Sequence, residues 1–140
     1  MPEMNDFNTK IIEEFRANDG KVGGGFEGAP LLLLHHRGAK TGTVRVNPLA
    51  YLPLDGAFAV FASKAGAPSN PDWYRNLKAH PETEVEVGSD TLEVTAREAV
   101  GDERRDIFDR QKVQMPGFAE YEEKTKGIRE IPVIVLEPRP

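Results

Sequence analysis

Residues 43–63 read TVRVNPLAYLPLDGAFAVFAS, and the Asp55-Gly56 pair inside that stretch decides the fold class. Both residues tolerate positive φ, and apolar runs lie on either side, which is the strongest local signal for a tight β-hairpin. The arms run from about Thr43 to Pro53 and from Ala57 to Ser63. Upstream, Leu31 to Leu34 form a short apolar run between Pro30 and the turn at Gly38, as expected of a buried strand. Downstream, Val85 and Val87 alternate with Glu84 and Glu86. After a turn at Gly88 to Asp90, Leu92, Val94 and Ala96 alternate with Glu93, Thr95 and Arg97, which predicts a second hairpin with one wet face. The closing run Ile131 to Leu136 is short and β-branched and reads as a central strand.

Helices fill the remaining intervals. Phe7, Ile11, Ile12 and Phe15 share one side of an amphipathic helix over about Asn5 to Ala17, ended by Asn18, Asp19 and Gly20. Gly23 to Gly25 read as a flexible connector. Asn70 is the expected N-cap, with Pro71 at the first position, of a short helix to Ala79. Asp102 to about Val113 predicts a surface helix whose buried stripe is Ile107, Phe108 and Val113, and a shorter helical piece follows Pro116. Hairpin connections dominate this order. It predicts a mainly β, α+β chain in which about six antiparallel strands curl into a barrel that protects its edges. The expected division is an N-terminal helix, 1–20, and a barrel domain, 21–140.

The 140 residues are enough for one core, and the composition is that of a globular protein, 39% hydrophobic and 29% charged. The absence of cysteine excludes disulfides, thiolate metal sites and cysteine nucleophiles. No apolar stretch approaches the ~20 residues of a membrane span, and no basic-then-apolar leader opens the chain, so a cytoplasmic location is expected. A net charge of −5 argues against general nucleic-acid binding. Yet between Glu27 and Asp55 there is no acidic residue, while Arg37, Lys40 and Arg45 all fall there.

That cationic island coincides with Gly38-Ala39-Lys40-Thr41-Gly42, a glycine-framed turn whose backbone donors, hydroxyl and charges suit a phosphate or other oxyanion. It lacks the Walker spacing, so nucleotide hydrolysis is unsupported. The alternative is a turn whose basic residues serve solubility alone. His35 and His36 alternate along a strand and cannot both face one ligand, which makes them structural histidines rather than metal ligands. Ser63 ends a strand at a place where functional side chains are often displayed, but no nucleophile elbow surrounds it. Trp73 and Leu77, four residues apart, either anchor their helix on the barrel or leave its N-terminus to a ligand.

Taken together, Gly38-Ala39-Lys40-Thr41-Gly42, Arg45-Val46-Asn47-Pro48-Leu49, Ala62-Ser63-Lys64 and Asn70-Pro71-Asp72-Trp73-Tyr74-Arg75-Asn76-Leu77 resemble the deazaflavin-dependent nitroreductase family of actinobacteria. The likeness runs from about Gly20 to Pro138. It implies an FMN-binding-like split β-barrel holding coenzyme F420. By the match, Ala39, Lys40, Thr41 and Arg45 would hold the phosphate and acidic glutamyl tail, Val46, Asn47 and Pro48 would continue the groove wall, Phe61, Ala62, Ser63 and Lys64 would lie along the deazaflavin ring, and Asp72, Trp73, Tyr74, Arg75 and Asn76 would add contacts. The chemistry would be the cofactor's hydride, passed to a planar acceptor such as a quinone or nitro compound. Ser63 and Tyr121 would be the candidate catalytic hydroxyls, and Met115, Phe118 and Tyr121 the acceptor pocket. That pocket carries one hydroxyl where the family has several tyrosines, which favours a flat apolar acceptor over nitroimidazole drugs. Ala50 stands where a tyrosine is usual, and Tyr51 would face the opposite side of its strand. The alternatives are an FMN-dependent oxidase or reductase of the same fold and a non-catalytic F420 carrier. The N-terminal helix would pack on the barrel, cover the acceptor site or touch the inner face of a membrane. Oligomeric state is left open.

Overall fold

The four leucines belong to β1 (Leu31–Arg37), and they are apolar without interruption because both faces of that strand are covered. Leu32 and Leu34 pack inside the barrel with Val60, Ala62, Val85, Val94, Ile134 and Leu136. Leu31 and Leu33 pack outside it, under Ile11 and Phe15 of helix α1 (Asp6–Ala17). The computed structural model describes residues 6–18, 20, 31–63 and 69–139. The Gly23 to Gly25 connector, Lys64, and the Phe7 side chain lie outside the described residues.

The strands β1, β2 (Val44–Leu54), β3 (Ala57–Phe61), β4 (Glu82–Val87), β5 (Asp90–Ala99) and β6 (Val133–Pro138) close a barrel in the order β1-β2-β3-β6-β5-β4. All six seams are antiparallel. The expected hairpin turns at Gly56, where φ is +77°, with the register Leu54↔Ala57. The β1–β4 seam holds two residue pairs, Leu33↔Glu86 and Leu34↔Val85, against seven between β1 and β2. The barrel is therefore weakest in pairing at the β1–β4 seam. Arg16 spans that seam, donating through Nε and Nη2 to the Glu86 carboxylate at 3.0 and 2.6 Å, and the same carboxylate meets His35 Nε2 at 2.8 Å. The Arg16 guanidinium holds the Glu86 carboxyl below its usual range.

Three further helices complete the packing. Helix α2 (Asp72–Ala79) closes one end of the barrel with Trp73, Tyr74 and Leu77, as the i, i+4 spacing predicts for an anchor. Helices α3 (Gly101–Gln114) and α4 (Gly117–Thr125) sheath the outer face of β3 and β6. There Phe61, Phe108 and Phe118 meet edge to face, with centroids 5.4 to 6.3 Å apart, the geometry aromatic rings prefer.

Two local expectations are corrected. Asn70 does not cap α2: Pro71 occupies the N-cap position, and Asn70 Oδ1 instead accepts from Arg129 Nη1 at 2.8 Å, because a charged donor is a stronger partner than a backbone N–H. Val113 is 84% exposed, and Gln111 takes its place in the buried stripe of α3. Gln111 lies four residues after Ile107 and so on its face, whereas Val113, six residues on, is turned about 120° away.

Candidate functional site

The glycine-framed turn is built by its own backbone. Gly38 N–H donates to Thr43 O at 2.8 Å, Gly42 N–H donates to Gly38 O at 2.9 Å, and Thr41 Oγ1 accepts from Thr43 N–H at 3.2 Å. Gly42 has φ +74°, a conformation that favours glycine. With its internal groups so engaged, the turn leaves Ala39, Lys40 and Thr41 exposed.

Helix α2 begins opposite this turn. Gly38, Ala39, Lys40, Thr41 and Arg45 from the turn and β2 join Asp72, Arg75 and Asn76 from α2 around a groove of about 320 Å³. Lys40, Arg45 and Arg75 face one acid, Asp72, which Arg75 pairs at 2.5 Å. The acid-free interval of the sequence thus gains an acid and a compensating cation from the next helix. A groove with this excess of cations and a turn of small residues fits an anionic group such as the phosphate and carboxylate tail of F420.

Behind the groove wall, buried side chains fix its shape. Asn76 Oδ1 accepts from Ala39 N–H at 3.0 Å, Asn76 Nδ2 meets His36 Nδ1 at 2.9 Å, and His36 Nε2 meets Asn47 Oδ1 at 2.6 Å. His36 is 2% exposed, and burial is the main influence holding its imidazole below the ordinary histidine range, Arg45 and His35 adding to it while Asn47 and Asp72 oppose.

The residues expected to bind the cofactor therefore separate by position. Ala39, Lys40, Thr41, Arg45, Asp72, Arg75 and Asn76 line one groove. Trp73 and Tyr74 lie in the barrel core, where Tyr74 Oη donates to Glu98 at 2.8 Å. Val46 packs beneath α1 rather than toward the groove, and half-buried Pro48 pairs with Leu33 in the sheet. Ala62 is inside the barrel, and Phe61 faces α3 and α4. Ser63 is buried at the end of β3. Of the acceptor-pocket set, Phe118 is buried, while Met115 and Tyr121 are half-buried against the same cluster, with Tyr121 edge-on to Phe118 at 5.1 Å.

Sequence reasoning alone misses Arg129. Its guanidinium donates to Ala62 O at 3.0 Å, Ser63 O at 2.9 Å and Asn70 Oδ1 at 2.8 Å, tying the end of β3 to the approach to α2. An arginine in the mostly basic Lys124 to Glu130 stretch carries no local signal for such a task. His36 reads as structural in the sequence, but its partners come from two other elements. Among the described residues no cluster of side chains is arranged to hold a metal ion, and no helix is long and apolar enough to cross a membrane.

Over residues 9–138 the chain matches the model of the F420H(2)-dependent quinone reductase family. The chain belongs to that family. A Mycobacterium tuberculosis relative carrying the same family description is 40% identical over 120 residues, 85% of this chain and 99% of its own length. A second protein of that species, named F420H(2)-dependent quinone reductase, is 44% identical over 84 residues, 59% of this chain and 56% of its own. Among solved structures, an F420-H2 dependent reductase superposes with a TM-score of 0.70 at 40% identity, covering 77% of this chain and 94% of that one. A structure described as a domain-swapped dimer gives 0.72 at 36% identity, covering 96% and 98%. The split barrel itself is more widespread, since the heme storage protein HutZ of Vibrio cholerae reaches 0.60 at 14% identity. Within the F420H(2)-dependent quinone reductase family the reaction class is that of an oxidoreductase, and its cofactor is coenzyme F420.

Proposed function

We propose that this chain reduces a planar organic acceptor, a quinone first and a nitro compound second, and that it holds F420 with its anionic end in the groove between the Gly38–Gly42 turn and α2. The observation that carries this reading is the convergence of Lys40, Arg45 and Arg75 on one groove. Three cations from three elements match a cofactor with a phosphate and an extended acidic tail better than the single terminal phosphate of FMN.

Reduced F420 supplies a two-electron hydride when bound, and the protein supplies position. Lys40 and Arg45 bind the acidic tail and the phosphate, while Arg75, steadied by Asp72, closes the groove from α2. Ala39 and Thr41 allow close approach. Ser63 would border the ring, and Arg129 fixes that edge through the carbonyls of Ala62 and Ser63. Met115 and Phe118 exclude water from the acceptor, with Phe61 and Phe108 supporting Phe118 from below. Ser63 Oγ and Tyr121 Oη are the hydroxyls available to deliver the proton that balances the hydride. Helix α1 serves packing rather than membrane contact: its apolar residues Ile11 and Phe15 are buried against β1.

Steady-state oxidation of reduced F420 by menadione tests the proposal against the carrier alternative. The expected result is multiple turnovers that scale with enzyme. Binding of reduced F420 with no acceleration of its oxidation would overturn the enzymatic reading.

A further inference from the structure

One backbone donor settles the protonation of a side-chain network centred on buried His36 and Asn76. Ala39 N–H can only donate, so the Asn76 atom facing it at 3.0 Å must be the acceptor Oδ1. The other end of that amide, Nδ2, then donates to His36 Nδ1 at 2.9 Å. His36 Nδ1 accepts, so the imidazole proton is on Nε2, and it is donated to Asn47 Oδ1 at 2.6 Å. Each donor meets one acceptor along the chain Ala39, Asn76, His36, Asn47. A second proton on His36 breaks it. Nδ1–H would face Nδ2, and rotating the Asn76 amide to relieve that clash would set Nδ2 against Ala39 N–H. Either way a buried donor is orphaned, which costs more than the bond itself contributes.

Ala39 is the first residue of the cationic turn after Gly38, and Asn76 is in α2 across the groove. The network is therefore what ties the two walls of the anion site together. We infer that His36, in its neutral Nε2–H form, is a positioning residue for the F420 tail: it holds Asn76 so that the Lys40 turn stays docked on α2. This rests on the proposed placement of F420. Burial, which disfavours the charged imidazole, acts in the same direction. The ionisable groups around the imidazole are Arg45 from β2, Asp72 from α2 and His35 from β1, and Arg37 of β1, Glu82 and Glu84 of β4, Glu93 of β5 and Arg139 line a small cavity that His36 also borders.

His36→Gln offers a non-titrating substitute, because Oε1 can accept from Asn76 and Nε2 can donate to Asn47. His36→Leu offers neither. The test measures the F420 dissociation constant between pH 5 and 8 for wild type and both variants, together with hydrogen exchange of the Ala39 amide in the cofactor-free proteins. Wild-type affinity should be flat at neutral pH and fall as the pH drops below the ordinary histidine value of about 6.5, where a depressed imidazole begins to charge. His36→Gln should bind within about threefold of wild type at pH 7.5 and lose that decline. His36→Leu should bind about tenfold more weakly at pH 7.5, with a faster-exchanging Ala39 amide. A His36→Gln pH profile parallel to wild type, or a His36→Leu protein with wild-type affinity and Ala39 protection, overturns the assignment. If His36→Leu does not fold, the His36→Gln profile decides alone. Failure of the wild type to bind F420 at any pH would refute the cofactor placement instead, and the Ala39 exchange comparison would still judge His36.

Discussion

Replacing Lys40 and Arg45 together with alanine is expected to weaken F420 binding about 100-fold at low salt, roughly tenfold for each charge-assisted hydrogen bond removed. Both side chains are exposed at the groove, so their removal should leave the thermal midpoint within a degree or two of wild type. The salt dependence is as informative as the magnitude. Surface charges are screened over about 10 Å at 0.1 M ionic strength, so raising salt should weaken the wild type steadily and the double variant far less, and the two curves should converge. Isothermal titration at two salt concentrations measures both quantities. An unchanged dissociation constant in the double variant would place the acidic tail elsewhere. Arg75→Ala should be more damaging than its single charge implies, because Asp72, now unpaired, would face the incoming anion.

The second large effect is on stability. Phe108 is 1% exposed and meets Phe61 at 5.9 Å and Phe118 at 6.3 Å between α3 and the outer face of the barrel. Phe108→Ala should cost about 3–5 kcal/mol, the range for truncating a fully buried aromatic side chain. Against a typical domain stability of about 5–15 kcal/mol, that is enough to compromise folding at 37 °C. Because Phe118 leans on Phe108 and Tyr121 on Phe118, the damage should reach the proposed acceptor wall. Chemical denaturation monitored by circular dichroism gives the number. A cost below 1 kcal/mol would mean that α3 and α4 are not integral to the core.

Much of this fold is legible in the sequence because its decisive interactions are local. Asp55-Gly56 sets a hairpin whose arms pair in register without help from distant residues, and the Glu84 to Arg97 alternation writes the wet and dry faces of β4 and β5 directly. The leucine run also reads correctly as a buried strand, but the reason for its continuity, α1 on one face and the barrel on the other, needs the tertiary structure. In the candidate site the same boundary applies. Lys40, Thr41 and Arg45 stand close in sequence and suggest an anion site, with a merely solubilising turn as the alternative. Arg75 and Asp72 join them only because α2 closes that end of the barrel. The roles of His36, which joins β1 to Asn47 of β2 and Asn76 of α2, and of Arg129, which grips a carbonyl 66 residues away, arise from pairings that no sequence window contains. Val46, Trp73 and Tyr74 show the converse. Their motif places them with the residues proposed to hold the cofactor, yet their side chains serve the core, so one stretch of sequence can mix groove-lining residues with residues that hold those in place.

F420 must be the molecule that this groove selects if Lys40, Arg45 and Arg75 do what their placement implies. The most direct measurement is a fluorescence titration of the purified protein with F420 and, in parallel, with FMN, at neutral pH and low salt. Saturable F420 binding at least about tenfold tighter than FMN is expected, with the preference shrinking when Lys40 and Arg45 are removed. Tight binding of FMN with no response to F420 would contradict it.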